Sequence, residues 1–323
     1  MLTEEDARPE LARLSERILH QERVGYEGLL AEAWAALQEP LVGSKWHDDR
    51  REATGNEIAD ASLIYATEQF QHLMLSIKDH TETLILLMQH QRLLLVPAWT
   101  VSRAILEPVL MSCWLTDPTV SSEMRIARAA SLLPGVVQGS ISQLRKFGAL
   151  DRKELPEKLQ NRVELAAYYR RHGFEIIRAR DKNGGETEDI AAVRYGSSRA
   201  SINHNITQLA TAYMPDEPYL YGMLSGAAHG QPWLLNGLSD NADEAIRSII
   251  LPLLPISDAY TRAICNYVGV SGEDVLARRR YRMVALMNRG SLVRTLDRSS
   301  RQTAFGVFTK GLRPDEISGK PQA

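Results

Sequence analysis

With 323 residues, a net charge of −2, and 44% hydrophobic and 24% charged residues, the chain has the balance of a globular protein long enough to bury a sizeable core. That balance excludes a disordered or fibrous chain and a globally basic nucleic-acid binder. The total hides an asymmetry: residues 271–323 carry eleven Lys/Arg against five Asp/Glu, a sum of +6, which leaves −8 on residues 1–270.

Helical spacing opens the chain. Thr3 and Asp6 resemble a capping box for a helix to about His20. Val24, Leu29, Leu30, Ala33, Trp34 and Leu37 carry the same period through 22–38. Pro40, Gly43 and the polar run from Ser44 to Asn56 read as a long loop. Apolar residues from Ile58 to Leu87 predict a helix over about 57–95, broken once near Asp79 or Thr81. The next helix runs to about Leu115, with Pro97 in its first turn and Pro108 kinking it. Asp117-Pro118 reads as the cap and first-turn proline of a helix reaching Phe147, bent at Pro134-Gly135. Residues 156–180 predict an Arg-rich helix, and 181–189 the clearest loop. Helices are expected at 189–195, 198–213, 218–230, 241–267 and 271–295, and a weakly ordered tail at 301–323. There is no strand ladder and no internal repeat in this reading. The expected fold is all-α: a bundle of about ten helices around one large core, forming a single domain over 1–300.

Cys113 and Cys265 lie far apart in apolar stretches, which makes no disulfide framework and fits a reducing compartment. The acidic N-terminus lacks the charged-then-apolar pattern of a secretory signal. The most apolar stretch, 84–115, contains Arg92, Pro97, Arg103, Glu107 and Pro108, which argues against a membrane span. A cytoplasmic protein is expected.

Two segments place polar groups among apolar ones. In 93–115 the only charged residues are Arg103 and Glu107, one helical turn apart on one face. Burial of such a pair requires mutual pairing, and it serves either as a structural tie or as the lining of a site. In 221–230, Tyr221, Ser225 and His229 recur every four residues on one face. Gly222, Gly226 and Gly230 repeat on the adjacent stripe, a spacing that lets another helix approach closely. This segment reads either as tight packing around a satisfied histidine or as the second half of one polar site. In the latter case Glu107 would orient His229 for acid/base work.

The first segment, RAILEPVLMSCWLTDP, is followed by Arg125-x-x-Arg128. With the later Tyr-x-x-x-Ser-x-x-x-His, it resembles a group of bacterial all-helical proteins distantly related to the HEPN (higher eukaryotes and prokaryotes nucleotide-binding) fold. The resemblance covers roughly 57–265. It implies a HEPN-like centre that binds or acts on RNA or a nucleotide in defence or stress responses. Active ribonucleases of that fold carry Arg-x4–6-His. Arg199/His204 and Arg13/His20 match it, but about two matches are expected by chance among thirty arginines and eight histidines.

Other signals are weaker. Asp48-Asp49-x-x-Glu52 has the short form of the magnesium-binding motif of class I terpene synthases, or is a solvated charge run in a loop. Residues 190–206 carry a helix-turn-helix-like Ala192, Gly196 and Ile202. The Arg-rich helix over 271–296 places Arg278, Arg282 and Arg289 on roughly one face. With Arg279 they either complement the acidic body or contact nucleic acid. No metal-ligand spacing, P-loop or dinucleotide fingerprint occurs, so no cofactor is expected. The leading expectation is a HEPN-like protein whose site comprises Arg103, Glu107, Tyr221, Ser225 and His229. Two alternatives stand beside it. One is a non-catalytic interaction protein whose C-terminal helix docks a partner or a second copy. The other is a small-molecule enzyme with a helical cavity.

Overall fold

The computed structural model describes residues 4–90, 94–147, 154–217, 219–231 and 242–282. Ten helices and one small sheet lie among them. The helices are α1 (Glu4–Gln38), α2 (Lys45–Ala53), α3 (Glu57–Gln89), α4 (Leu95–Leu115), α5 (Ser122–Phe147), α6 (Glu154–Arg171), α7 (Ile206–Tyr213), α8 (Tyr219–Ala228), α9 (Ala242–Val268) and α10, over 273–282. The strands are β1 (Phe174–Arg180), β2 (Glu186–Tyr195) and β3 (Ser198–Ser201). The fold is mostly α-helical, as the composition predicts. The 301–323 tail, Arg289 and the last part of the Arg-rich helix lie outside the described residues.

Helix α4 is the axis of the core. Its Ala98, Ile105, Leu106, Val109 and Leu110 are almost fully buried, and it packs against α3, α7, α8 and α9. Helix α9 brings Ile249, Ile250, Leu254 and Tyr260, and α3 brings Ile77 and Leu84. Helix α4 is apolar because it fills this interior. No helix of the described residues is long and apolar enough to cross a membrane.

Three sequence expectations change. The polar stretch after Gly43 is not a loop. Ser44 accepts from the His47 amide at 3.1 Å and so caps α2, whose polar residues face outward while Trp46, Asp49 and Ala53 point in. Asn56 caps α3 in the same way through the Ala59 amide, and α3 runs unbroken to Gln89. Helix α5 starts at Ser122, with Ser121 accepting from the Met124 amide. Asp117-Pro118 lies before it, where Asp117 holds the Thr119 amide at 2.9 Å.

The third change is the sheet: β1, β2 and β3 replace the end of the helix expected over 156–180, the helix expected at 189–195 and the start of the one expected at 198–213, while the turn between β1 and β2 falls in the loop expected at 181–189. Gly173 (φ +79) ends α6, and two antiparallel hairpins follow in the order β1-β2-β3. The first turns at Asn183-Gly184, with Gly184 at φ +83 and the Asp181 carboxylate accepting from the Asn183 and Gly185 amides. The second has a two-residue Gly196-Ser197 loop between the paired Tyr195 and Ser198, with positive φ at the glycine alone. Phe174, Ile176, Tyr195, Val193, Ser198 and Ala200 form two register rows. The helix-turn-helix reading of 190–206 falls with this. Gly196 turns a hairpin, Ala192 sits in β2, and Ile202 follows β3.

Candidate functional site

Helix α8 packs against α4, and the contact brings the two polar segments together. Arg103 donates from Nε to Glu107 Oε1 at 2.8 Å, the one-turn pair that the spacing predicts. The same guanidinium reaches across to α8. Its Nη1 lies 3.1 Å from His229 Nε2, and its Nη2 donates to the Tyr221 hydroxyl at 3.5 Å. Its carbon stands 5.5 Å from the centroid of the Tyr221 ring. Tyr221 and His229 are two turns apart on α8, so Arg103 bridges the turn that carries Ser225. The Ser225 hydroxyl has no hydrogen-bond partner among the described residues.

One part of the expectation changes here: Glu107 makes no hydrogen bond to His229, and the link between the segments is Arg103. The pair is partly buried, as expected. The Arg103 and Glu107 side chains keep 21% and 36% of their exposure, and His229 is exposed. The glycine stripe is not uniform: Gly226 is buried, whereas Gly222 is exposed. A side chain at Gly222 would meet open space, and Gly230 (φ +61) is the left-handed residue that closes α8, with the Gln231 amide returning to the Gly226 carbonyl at 2.9 Å.

Arginine only donates, so the hydrogen bond at 3.1 Å is one in which His229 Nε2 accepts, the role of the Nδ1–H tautomer. Burial opposes the Arg103 charge, but the Glu107 carboxylate and Tyr221 outweigh it and raise the guanidinium above its ordinary value.

The other segments of the sequence resemblance are structural ties. Arg125 grips Asp49 with two bonds, Nε at 2.8 Å and Nη2 at 2.7 Å, with side-chain exposures of 2% and 0%. The Tyr267 hydroxyl adds a third bond to Asp49 at 3.1 Å. This pair joins α2 to α5 and α9. It divides Asp48-Asp49-x-x-Glu52: Asp48 and Glu52 keep contact with solvent, as a charge run would, whereas Asp49 is buried and committed to Arg125, so the three do not form a metal motif. No group of three or more His, Cys, Asp or Glu side chains able to hold a metal occurs among the described residues.

Arg128 stands over the Trp114 ring at 5.3 Å and pairs with Asp117 at 3.3 Å. The Tyr213 hydroxyl donates to Asp117 at 2.9 Å. His204 lies edge-on to Trp114 at 4.3 Å. The Arg199/His204 match, of a kind expected by chance, corresponds to no hydrogen bond or ion pair between the two; His204 packs on Trp114. The signal was the Trp-Leu-Thr-Asp-Pro run, whose aromatic and acid both find Arg128.

The C-terminal arginines divide. Arg279 is 2% exposed and donates to Glu22 (2.7 Å), Asp258 (2.9 Å) and Thr261 (3.1 Å). Arg282 also donates to Glu22, at 2.6 Å. Arg279 is therefore unavailable to nucleic acid, and Arg282 is committed to the body. Three residues apart, they share the inward face of α10 and meet an acidic side chain of α1. Only Arg278, of the described residues assigned to nucleic acid, is exposed.

The chain matches no family model, no curated protein and no solved structure.

Proposed function

We propose that this chain is a HEPN-like helical protein that binds RNA or a nucleotide by a phosphate group at Arg103, with His229 beside it for acid/base chemistry. The observation behind this reading is the 3.1 Å bond between Arg103 and an exposed His229. A guanidinium has five N–H donors. Glu107, His229 and Tyr221 take three, which leaves two for an incoming phosphate oxygen, with Ser225 one turn from both Tyr221 and His229. An anion that turns the Arg103 Nη1 toward itself releases the His229 Nε2 lone pair, the group a general base needs, while the Nε bond to Glu107 keeps the guanidinium at the site.

The test is titration of the whole chain with labelled AMP and with a labelled oligouridylate, for the unaltered protein and for Arg103→Ala and Arg103→Lys. Loss of roughly ten-fold or more in affinity in Arg103→Ala, with partial retention in Arg103→Lys, supports the site. Equal affinity in all three overturns it. The interaction-protein reading loses Arg279 and Arg282 in the same way as a nucleic-acid role does, since both are internal ties. On that reading Arg103 is a surface clasp between α4 and α8, and the titrations show no binding.

A further inference from the structure

Helix α10 has two unlike faces. Arg279 and Arg282 point inward to Glu22, and Leu276 is buried beside them. Tyr281 is two residues beyond Arg279 and so on nearly the opposite side of the helix. Its ring is 77% exposed, the most exposed aromatic side chain among the described residues. Arg278 and Arg280 flank it, both exposed, and neither has an acidic partner among the described residues. Three consecutive arginines are thus split: one is spent on an ion-pair network in the core, and two are left free beside an aromatic ring.

We infer that this outer face, Tyr281 between Arg278 and Arg280, holds a single-stranded nucleic acid. A ring held in water offers a flat π face on which any base can stack, and the two guanidiniums lie where the flanking phosphates would run. The inward anchors make the platform rigid, because α10 is tied to α1 and α9 by Arg279. A stacked base with its flanking phosphates uses the ring and both arginines together; an acidic protein surface is the competing occupant that the test below separates. This surface does not depend on the Arg103 site.

The experiment uses the full chain with a fluorescein-labelled twelve-nucleotide oligouridylate, and separately an oligoglutamate of the same length. In fluorescence anisotropy, Tyr281→Ala is expected to weaken oligouridylate binding roughly ten-fold. The double variant Arg278→Ala/Arg280→Ala should lower the slope of log affinity against log salt by about 0.7 for each arginine removed. All three positions are exposed, so the variants keep the fold. Oligouridylate binding that is unchanged in both variants overturns the inference. So does binding of oligoglutamate alone, which assigns the face to an acidic protein. An Arg103→Ala effect on AMP that leaves the α10 variants' effects intact shows the two sites to be separate. Loss at Tyr281 without loss at Arg103 keeps this inference and removes the other.

Discussion

Arg103 of α4 and His229 of α8, 126 positions apart in the chain, share a 3.1 Å hydrogen bond in which the imidazole is the acceptor. The bond exists only with the histidine neutral, and both partners are open to solvent. A tie of this kind contributes little to stability, because an exposed polar contact exchanges water bonds for protein bonds at small net gain. His229→Ala is therefore expected to change the unfolding free energy by less than about 0.5 kcal/mol, read from urea denaturation. The same change should lower affinity for AMP or oligouridylate several-fold. A large loss of stability with unchanged binding would make His229 a packing residue.

The Arg125–Asp49 pair is the opposite case. Both side chains are buried, so Arg125→Ala leaves an uncompensated carboxylate under Tyr267. The expected destabilisation is about 3–5 kcal/mol in urea unfolding. Replacing both, as Arg125→Met/Asp49→Leu, should be much milder, since the cost lies in the orphaned charge. Equal losses in the single and double variants would contradict this account.

Arg279→Ala removes the shared donor of Glu22 and Asp258. Helix α10 should then loosen selectively. Hydrogen exchange across 273–282 is expected to rise by an order of magnitude or more, while α4 amides keep their protection. Uniform acceleration throughout the chain would show that the network supports the whole core instead.

Acid sensitivity should come in two steps. Burial, with Arg128 beside it, holds the His204 imidazole below its ordinary value of 6.5. The unfolded chain then binds a proton that the folded chain refuses, so this contribution is complete above about pH 6.5 and falls as pH drops below it. Burial pushes the Asp117 carboxyl up, but bonds from Thr119 and Tyr213 and the charge of Arg128 outweigh it and hold the group below 3.8. Its contribution is complete above that value and is lost as pH falls through the lowered one. Urea midpoints measured from pH 7.5 to pH 3 should show both steps, with His204→Gln removing the upper and Asp117→Asn the lower. A His204→Gln profile identical to that of the unaltered chain would show that this ring is protonated equally in both states.

Gly196 is the glycine whose replacement has two costs. Its φ of +54 suits glycine, and an added Cβ would come within 2.6 Å of Glu123 Oε1. That carboxylate accepts from the Ser197 amide and hydroxyl, so displacing it undoes the anchor of the hairpin on α5. Gly196→Ala is expected to cost about 1–3 kcal/mol, while Gly222→Ala, mid-helix with open space around it, should stabilise by up to about 1 kcal/mol. Thermal midpoints of the two variants moving in the same direction would refute the contrast.

The sequence by itself determined the helices whose apolar period is long and clear: α3, α4, the body of α5, α8 and α9 all stand close to where spacing puts them. It also located the candidate site, because Arg103 and Glu107 are conspicuous in an apolar run and Tyr221, Ser225 and His229 share one helical face. Only the tertiary structure decided which of these groups meet. One turn of helix fixes Arg103 against Glu107, but whether α8 lies over Arg103 or over Glu107 depends on how two helices pack. The hairpins escaped the sequence reading because Ile-Ala-Ala-Val suits a helix as well as a strand, and α5 and α6 supply the surface that makes the strand worth forming. The arginines of α10 teach the same lesson: Arg278, Arg279 and Arg280 are identical as letters. Burial at one position, beside an acid 257 residues away, makes one of them core and leaves its neighbours in water.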